Sequence, residues 1–243
     1  MRAIILAAGR GSRLKAMTAE RPKCLVEIDG QTLLERQLKS LYQAGISEIG
    51  IVRGYMAEKI AVDGAQYFEN LRWEDTQMVR SLMCAQEWLE NDECIVCYSD
   101  IMYNSEAIQF LQNTKEDIVI PYNVEWLKVW EARFEDPLSD AESFQIDEQG
   151  RLTEIGSKVN NIHDIQGQYM GILKFTPQGW RQIAKVLGEM DDTKLDKMDM
   201  TSILNLLIKQ KIAIYTMAIN GNWFEIDSEQ DIEAYREWLN GEK

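Results

Sequence analysis

The feature that most constrains this chain lies at its start. The apolar run Arg-Ala-Ile-Ile-Leu-Ala-Ala, residues 2–8, breaks directly into Gly9, Arg10, Gly11, Ser12, Arg13 and Leu14. A strand apolar on both faces belongs inside a parallel sheet covered by helices on either side. Two glycines straight after it let backbone N–H groups approach an anion closely. A Walker loop is absent, and a dinucleotide fingerprint would need a third glycine where Leu14 stands. What remains is a loop whose glycines admit phosphate oxygens while Arg13, and Lys23 in Arg-Pro-Lys, supply full charges. A nucleoside triphosphate calls for such cations more than a diphosphate bridge does.

The charge distribution agrees. The chain carries −14 overall, yet residues 1–23 hold six basic residues against Glu20 alone, a balance of +5 that leaves −19 on the other 220. A small anion is expected at the first loop, and a nucleic-acid partner, which needs a broad basic face, is not. No run approaches the ~18 consecutive apolar residues of a membrane span, and the N-terminus lacks the flanks of a signal peptide, so a cytoplasmic location is expected. Cys24, Cys84, Cys94 and Cys97, with His163 as the only histidine, do not suit a zinc site and read as reduced structural thiols. His163 sits in a polar stretch and reads as a surface or hydrogen-bonding residue.

Strand-like and amphipathic segments then alternate along the chain, the α/β signature, and 243 residues with 45% hydrophobic content suffice for one core. Leu33, Leu34, Leu38, Leu41 and Tyr42 share one helical face, and Gly45 stops that helix. A strand follows over 48–54, then a helix over 75–89 with Asp75 or Thr76 as N-cap, and a strand over 93–100 that ends at Asp100. Beyond residue 125 the pattern predicts a hairpin over 143–156, a helix over 199–210, a strand over 212–219 and a last helix over 228–239. Functional groups are expected at the carboxyl ends of the strands.

The segments Leu6–Leu14, Thr18, Arg21–Gly30, Leu33–Leu41 and Gly45–Tyr55 together resemble the nucleotidyltransferases that make activated sugars and activated alcohol phosphates from an NTP and a phosphorylated substrate. The resemblance implies a single Rossmann-like, glycosyltransferase-A-type α/β domain over 1–243, with a mixed, mostly parallel sheet flanked by helices. Residues 1–122 would form its nucleotide-binding half and 123–243 its acceptor-binding half. Leu6, Ala7, Ala8, Gly9, Gly11, Ser12 and Arg13 would then meet the nucleotide, and Lys23 would hold the triphosphate as pyrophosphate leaves. Asp100 and Asp227 would bind Mg²⁺, with Glu225 beside the second as a lesser helper; two aspartates plus substrate phosphate oxygens suit that hard ion. Lys158 occupies a place similar to a lysine of the sugar enzymes, without the Glu and Pro that flank it there.

The stretch Glu69–Leu82 is similar to the cytidylyltransferases acting on phosphocholine or aminoalkylphosphonates, with Gln77 replacing an asparagine. Thr76, Gln77 and Ser81 are the base-side candidates. Residues 125–144 and 167–175 resemble the same branch, which implies an aromatic box of Trp126, Trp130, Tyr169 and Trp223 around an ammonium. Glu142 or Asp140 would complete its charge. The same tryptophans could instead fill the core or a homodimer interface. The chemistry implied is in-line attack by an acceptor phosphate or phosphonate oxygen on the α-phosphorus of CTP, for the decoration of cell-surface glycans or lipids. An acceptor phosphate is largely ionised at neutral pH, its second pKa lying near ~6, so no general base is demanded. Two other readings stand beside this one: a sugar-1-phosphate nucleotidyltransferase, supported by Asp199-Met200-Thr201, and a catalytically silent regulatory subunit.

Overall fold

The computed structural model describes residues 1–241. Its strands are β1 (Arg2–Ala7), the small hairpin β2 (Glu27–Ile28) and β3 (Gln31–Thr32), β4 (Ile49–Arg53), β5 (Gln66–Glu69), β6 (Cys94–Tyr98) and β7 (Ile101–Tyr103). They continue as β8 (Ile118–Asn123), the hairpin β9 (Glu142–Ile146) and β10 (Leu152–Lys158), β11 (Gln168–Tyr169), β12 (Ile172–Phe175), β13 (Tyr215–Ile219) and β14 (Trp223–Glu225). The helices are α1 (Leu33–Gln43), α2 (Met78–Cys84), α3 (Gln86–Asn91), α4 (Ser105–Gln112), α5 (Trp126–Arg133), α6 (Pro177–Gly188), α7 (Asp192–Asp196), α8 (Met200–Lys209) and α9 (Glu229–Gly241).

In the main sheet β5, β4, β1 and β6 run parallel side by side. β12 lies antiparallel on β6 and leads to β8, which also carries β11 antiparallel and β13 parallel. Alternation along β1 shows why its sequence is apolar throughout. Ala3, Ile5 and Ala7 join one core with Leu33, Leu34, Leu38 and Leu41 of α1 and Ile108 and Leu111 of α4. Ile4, Leu6 and Ala8 join a second core with Val79 and Leu82 of α2, Trp180 of α6 and Ile203 and Leu207 of α8. Both faces are therefore covered, as the continuous run predicts. The molecule is one Rossmann-like α/β domain. Among the described residues no helix is long and apolar enough to cross a membrane.

Local signals account for the ends of α1. Thr32 and Glu35 form a capping box, each side chain bonding the other's backbone N–H at 3.1 and 2.7 Å, and Gly45 follows the helix at φ +84°. The helix expected over 75–89 starts later and is broken. Met78 opens it, Gln77 rather than Asp75 or Thr76 stands at the N-cap, and the chain kinks at Ala85. The reason is tertiary. Asn70 donates to Thr76 Oγ1 at 3.0 Å, while the backbone N–H groups of Gln77 and Val79 donate to the carbonyls of Asp196 and Met198. Those bonds hold residues 70–77 as a loop.

All four cysteines are free thiols. Burial pushes Cys24, Cys94 and Cys97 up to about 12, and raises Cys84 as well. Iodoacetamide at pH 8 is therefore expected to modify half-buried Cys84 first and the other three only after denaturation. Rapid labelling of Cys24 or Cys97 in the folded protein, read by peptide mass spectrometry, would contradict the burial described.

Candidate active site

Gly11 adopts φ +71°, ψ 50°, a left-handed conformation that favours glycine. A Cβ there would lie 2.8 Å from both Cβ and Cδ of Lys23, so its absence leaves the lane along which the lysine stem runs. The carbonyl of Gly11 accepts from Leu14 N–H and from the Thr18 hydroxyl, each at 3.1 Å, and fully buried Leu14 pins the turn from below. Gly54, after β4, is equally constrained: a Cβ would meet the Ala8 carbonyl at 2.7 Å. The loop is thus fixed by packing beneath it, with its upper side open.

The carboxyl ends of two other strands bring acids to the same place. Asp100 stands in the turn between β6 and β7. β14 pairs antiparallel with β7, setting Glu225 opposite Ile101, and Ile226 N–H donates to the Asp100 carbonyl at 2.9 Å. As a result Asp100, Glu225 and Asp227 can offer three carboxylate oxygens within 4.8 Å of one another. Hard oxygen donors in this number and proximity suit a divalent cation such as Mg²⁺.

Three cations answer them. Lys23 Nζ lies 2.6 Å from Asp100 Oδ2 and 2.5 Å from Asp227 Oδ1, and Arg13 Nη2 lies 2.9 Å from the same Asp227 oxygen. Arg133, on α5 with a side chain only 1% exposed, reaches Asp231 at 2.8 Å, Glu225 at 3.3 Å and Asp227 at 3.6 Å. Burial disfavours the charged form of Lys23, but Asp100 and Asp227 outweigh it and raise its pKa. Burial likewise opposes ionisation of Asp227, and Lys23 and the two arginines overcome it to hold the carboxyl below its usual range. Glu225 goes the other way, pushed up by burial first and the neighbouring Asp227 charge second. Arg133 has no signal in the sequence, since it sits among ordinary charged residues of a helix. Asp231 accepts from the N–H groups of Asp227 and Ser228, which leaves the Asp227 side chain free to face the cations.

Two cavities meet at this cluster. One, of about 270 Å³, is lined by Leu6, Ala8, Gly9, Gly11, Arg13, Lys23, Thr76, Gln77, Ser81 and Asp100, all singled out from sequence, and by Trp73, Met78 and Ser99, which were not. Ala7 is buried beside it and Ser12 points outward at the loop. Asn70, also not anticipated, is 5% exposed and ties Thr76 Oγ1 and Ser81 Oγ together with 3.0 Å bonds from its amide. Arg72 and Arg80 pair with Asp196, and Arg80 also with Asp192, clamping this loop to the segment that precedes α8.

The second cavity, of about 310 Å³, includes Arg13, Trp130, Asp140, Glu142, Gln168, Tyr169, Asp199, Thr201, Trp223, Glu225 and Asp227 in its wall. Arg13 and no other lining residue belongs to both. Trp126 is buried against Trp130 at 6.0 Å and does not line the cavity. Trp130 and Trp223 stack at 5.6 Å, so each spends one face on the other, and the Trp130 Nε1–H is buried without a hydrogen-bond partner. Burial raises Glu142, with the Asp199 and Asp140 charges adding to it, and Asp140 is raised mainly by burial. Lys158 is exposed, opposite Glu142 in the β9–β10 ladder, and does not line either cavity. His163 is exposed and lines neither cavity.

Comparison with known proteins adds to this geometry. Residues 3–154 match the model of the MobA-like NTP transferase domain. The CTP:phosphoglutamine cytidylyltransferase of Campylobacter jejuni is 35% identical, the alignment covering 96% of this chain and 98% of that protein. The choline-phosphate cytidylyltransferase of Streptococcus pneumoniae is 26% identical over the full length of both chains. In fold, the inositol-1-phosphate CTP transferase of T. maritima superposes with a TM-score of 0.77 at 20% identity, covering 99% of this chain and 96% of that one.

Proposed function

The chain belongs to the MobA-like NTP transferase family, and from that premise we propose that it is a Mg²⁺-dependent cytidylyltransferase that moves CMP from CTP to a small phosphorylated acceptor bearing an ammonium group. CTP occupies the cavity between Leu6–Arg13 and Trp73–Ser81, whose lining comes wholly from residues 1–122. The amide of Gln77 and the hydroxyls of Thr76 and Ser81 offer donors and acceptors to the base, and Asn70 orients the two hydroxyls. The acceptor lies in the second cavity, with its phosphate directed at Arg13. An acceptor phosphate oxygen then attacks the α-phosphorus in line and pyrophosphate leaves against Lys23. The protein positions both substrates and neutralises charge, without a general base. Asp100, Glu225 and Asp227 are the residues to hold Mg²⁺, which when bound offsets the charge that builds on the phosphates.

One observation carries the acceptor class. Asp140, Glu142 and Asp199 all line the second cavity, and Arg13 is the sole cation in its lining. Like charges gathered around one cavity repel one another unless a cation arrives to compensate, so the acceptor is expected to supply one. The Campylobacter and Streptococcus relatives, named for phosphoglutamine and choline phosphate, support an acceptor with a nitrogen-bearing end. The aromatic faces spent on Trp130–Trp223 stacking favour carboxylate recognition over a full aromatic box.

Pyrophosphate release with Mg²⁺, each of four NTPs and a panel of acceptors tests this. CTP with phosphoglutamine, phosphocholine or 2-aminoethylphosphonate is expected to turn over, and Glu142→Gln to raise the acceptor KM by about tenfold, one lost charge contact, without moving the KM for CTP. Turnover confined to UTP or dTTP with a hexose-1-phosphate would establish the sugar reading instead, and none with any pair would establish the silent subunit.

A further inference from the structure

Lys23 stands where a divalent cation has to go. Its Nζ bonds one oxygen of Asp100 at 2.6 Å and one of Asp227 at 2.5 Å, two of the three carboxylates that can converge on an ion. The cluster already holds three cations, Lys23, Arg13 and Arg133, set among Asp100, Glu225, Asp227 and Asp231. Bringing a dication onto carboxylate oxygens that a cation already occupies is opposed by that resident positive charge, which has to move away. Arg133 is not that one: its side chain is 1% exposed and its Nε is bonded to Asp231. Apart from its bonds to those two carboxylates, Lys23 is held by its stem, which lies against the Cβ-free edge of Gly11, the same edge that lines the nucleotide cavity. Lys23 itself lines that cavity, so the space to which the ammonium would move already borders its side chain. Asp100 Oδ1 is also buried without a hydrogen-bond partner, an acceptor atom left for a cation to use.

We propose that Lys23 is an exchangeable counterion, which closes the carboxylate cluster in the nucleotide-free protein and transfers to the incoming triphosphate, so that divalent cations bind well only together with nucleotide. The exchange rests on the CTP reading given above. It makes Lys23 useful twice. In the free protein it keeps Asp100 and Asp227 from repelling one another, and in the loaded protein it screens the phosphates. The protein is thereby kept from holding a metal ion without the nucleotide that needs it.

The test measures Mn²⁺ binding without nucleotide, by electron paramagnetic resonance of the free ion, in wild type, Lys23→Met and Lys23→Gln. Loss of the lysine is expected to tighten Mn²⁺ binding by about tenfold or more, the effect of one unit charge removed from a distance of ~4 Å. Adding Asp100→Asn to either variant is expected to reverse the gain, locating the ion. Unchanged or weaker binding in both single variants, each shown by circular dichroism to be folded, would overturn the exchange. Lys23→Gln keeps a hydrogen-bonding head for the case in which Lys23→Met does not fold. A parallel titration of wild type with CTP in the presence of Mg²⁺, followed by tryptophan fluorescence from Trp73, is expected to show binding that the variants weaken. Absence of that binding in wild type would sink the CTP reading itself, a result distinct from an unaltered Mn²⁺ affinity.

Discussion

Asp100→Ala is expected to lower the rate of nucleotidyl transfer by about 10²–10³ while leaving the protein folded. Loss of one carboxylate from a cluster that neutralises phosphate charge removes a few kcal/mol from the transition state, and each ~1.4 kcal/mol is a factor of ten. The fold survives because Asp100 lies in a turn rather than a strand, and because Lys23 keeps Asp227 as a partner at 2.5 Å. The backbone bond from Ile226 N–H to the Asp100 carbonyl, which joins β14 to the β6–β7 turn, does not involve the side chain. Asp100→Asn keeps the shape and removes the charge, and should fall nearly as far. Melting temperature and initial rate measured on the same preparation check both halves. A near-normal rate in either variant would remove Asp100 from the site.

Arg133→Met is expected to affect stability as strongly as Asp100→Ala affects rate. The guanidinium is the common partner of Glu225, Asp227 and Asp231 from the inner side of the site. Removing one member of such a network strands buried charge, a loss of about 3–5 kcal/mol. For a chain of this size each kcal/mol moves the melting temperature by ~2–4 °C, so a fall of roughly 10 °C is expected. The packing half of the side chain is retained in Met, which stacks on Trp130 and Phe134 where the guanidinium now sits at 5.3 and 4.9 Å from the ring centres. The loss is thus assigned to charge. Arg133→Lys should recover part of it, since one ammonium can meet Asp231 but not the planar fork of partners. A variant as stable as wild type would show that α5 and α9 are held together by their apolar contacts alone.

The legible parts of the chain were those where one residue answers to one local rule. β1 was readable because a strand covered on both faces has to be apolar at every position, and the first loop because only Gly11 tolerates its φ beside Lys23. The hairpin β9–β10 and helix α8 followed from turn and periodicity signals in the same way. Asp100 and Asp227 were found by resemblance, and their convergence on Lys23 required the pairing of β7 with β14 across more than 100 residues of chain. Arg133 and Asn70 escaped notice for a related reason. A buried arginine or asparagine is identified by the partners it satisfies, and those partners, Asp231 and Ser81 among them, come together only in three dimensions. Trp126 and Trp130 share a helical face as their spacing implies, but the neighbour that decides their use is Trp223, far along the chain.

The clamp from Arg72 and Arg80 to Asp192 and Asp196 has a consequence for engineering and for descent. The loop proposed to face the base is bonded, by backbone at Gln77 and Val79 and by side chains at the arginines, to the very segment that runs on into Asp199 and Thr201 on the proposed acceptor wall. The two specificities are therefore not separable modules. A graft of residues 70–81 from a uridylyl- or thymidylyl-transferring relative has to bring residues 191–198 with it, and changes in the preferred base should be inherited together with changes in the preferred acceptor.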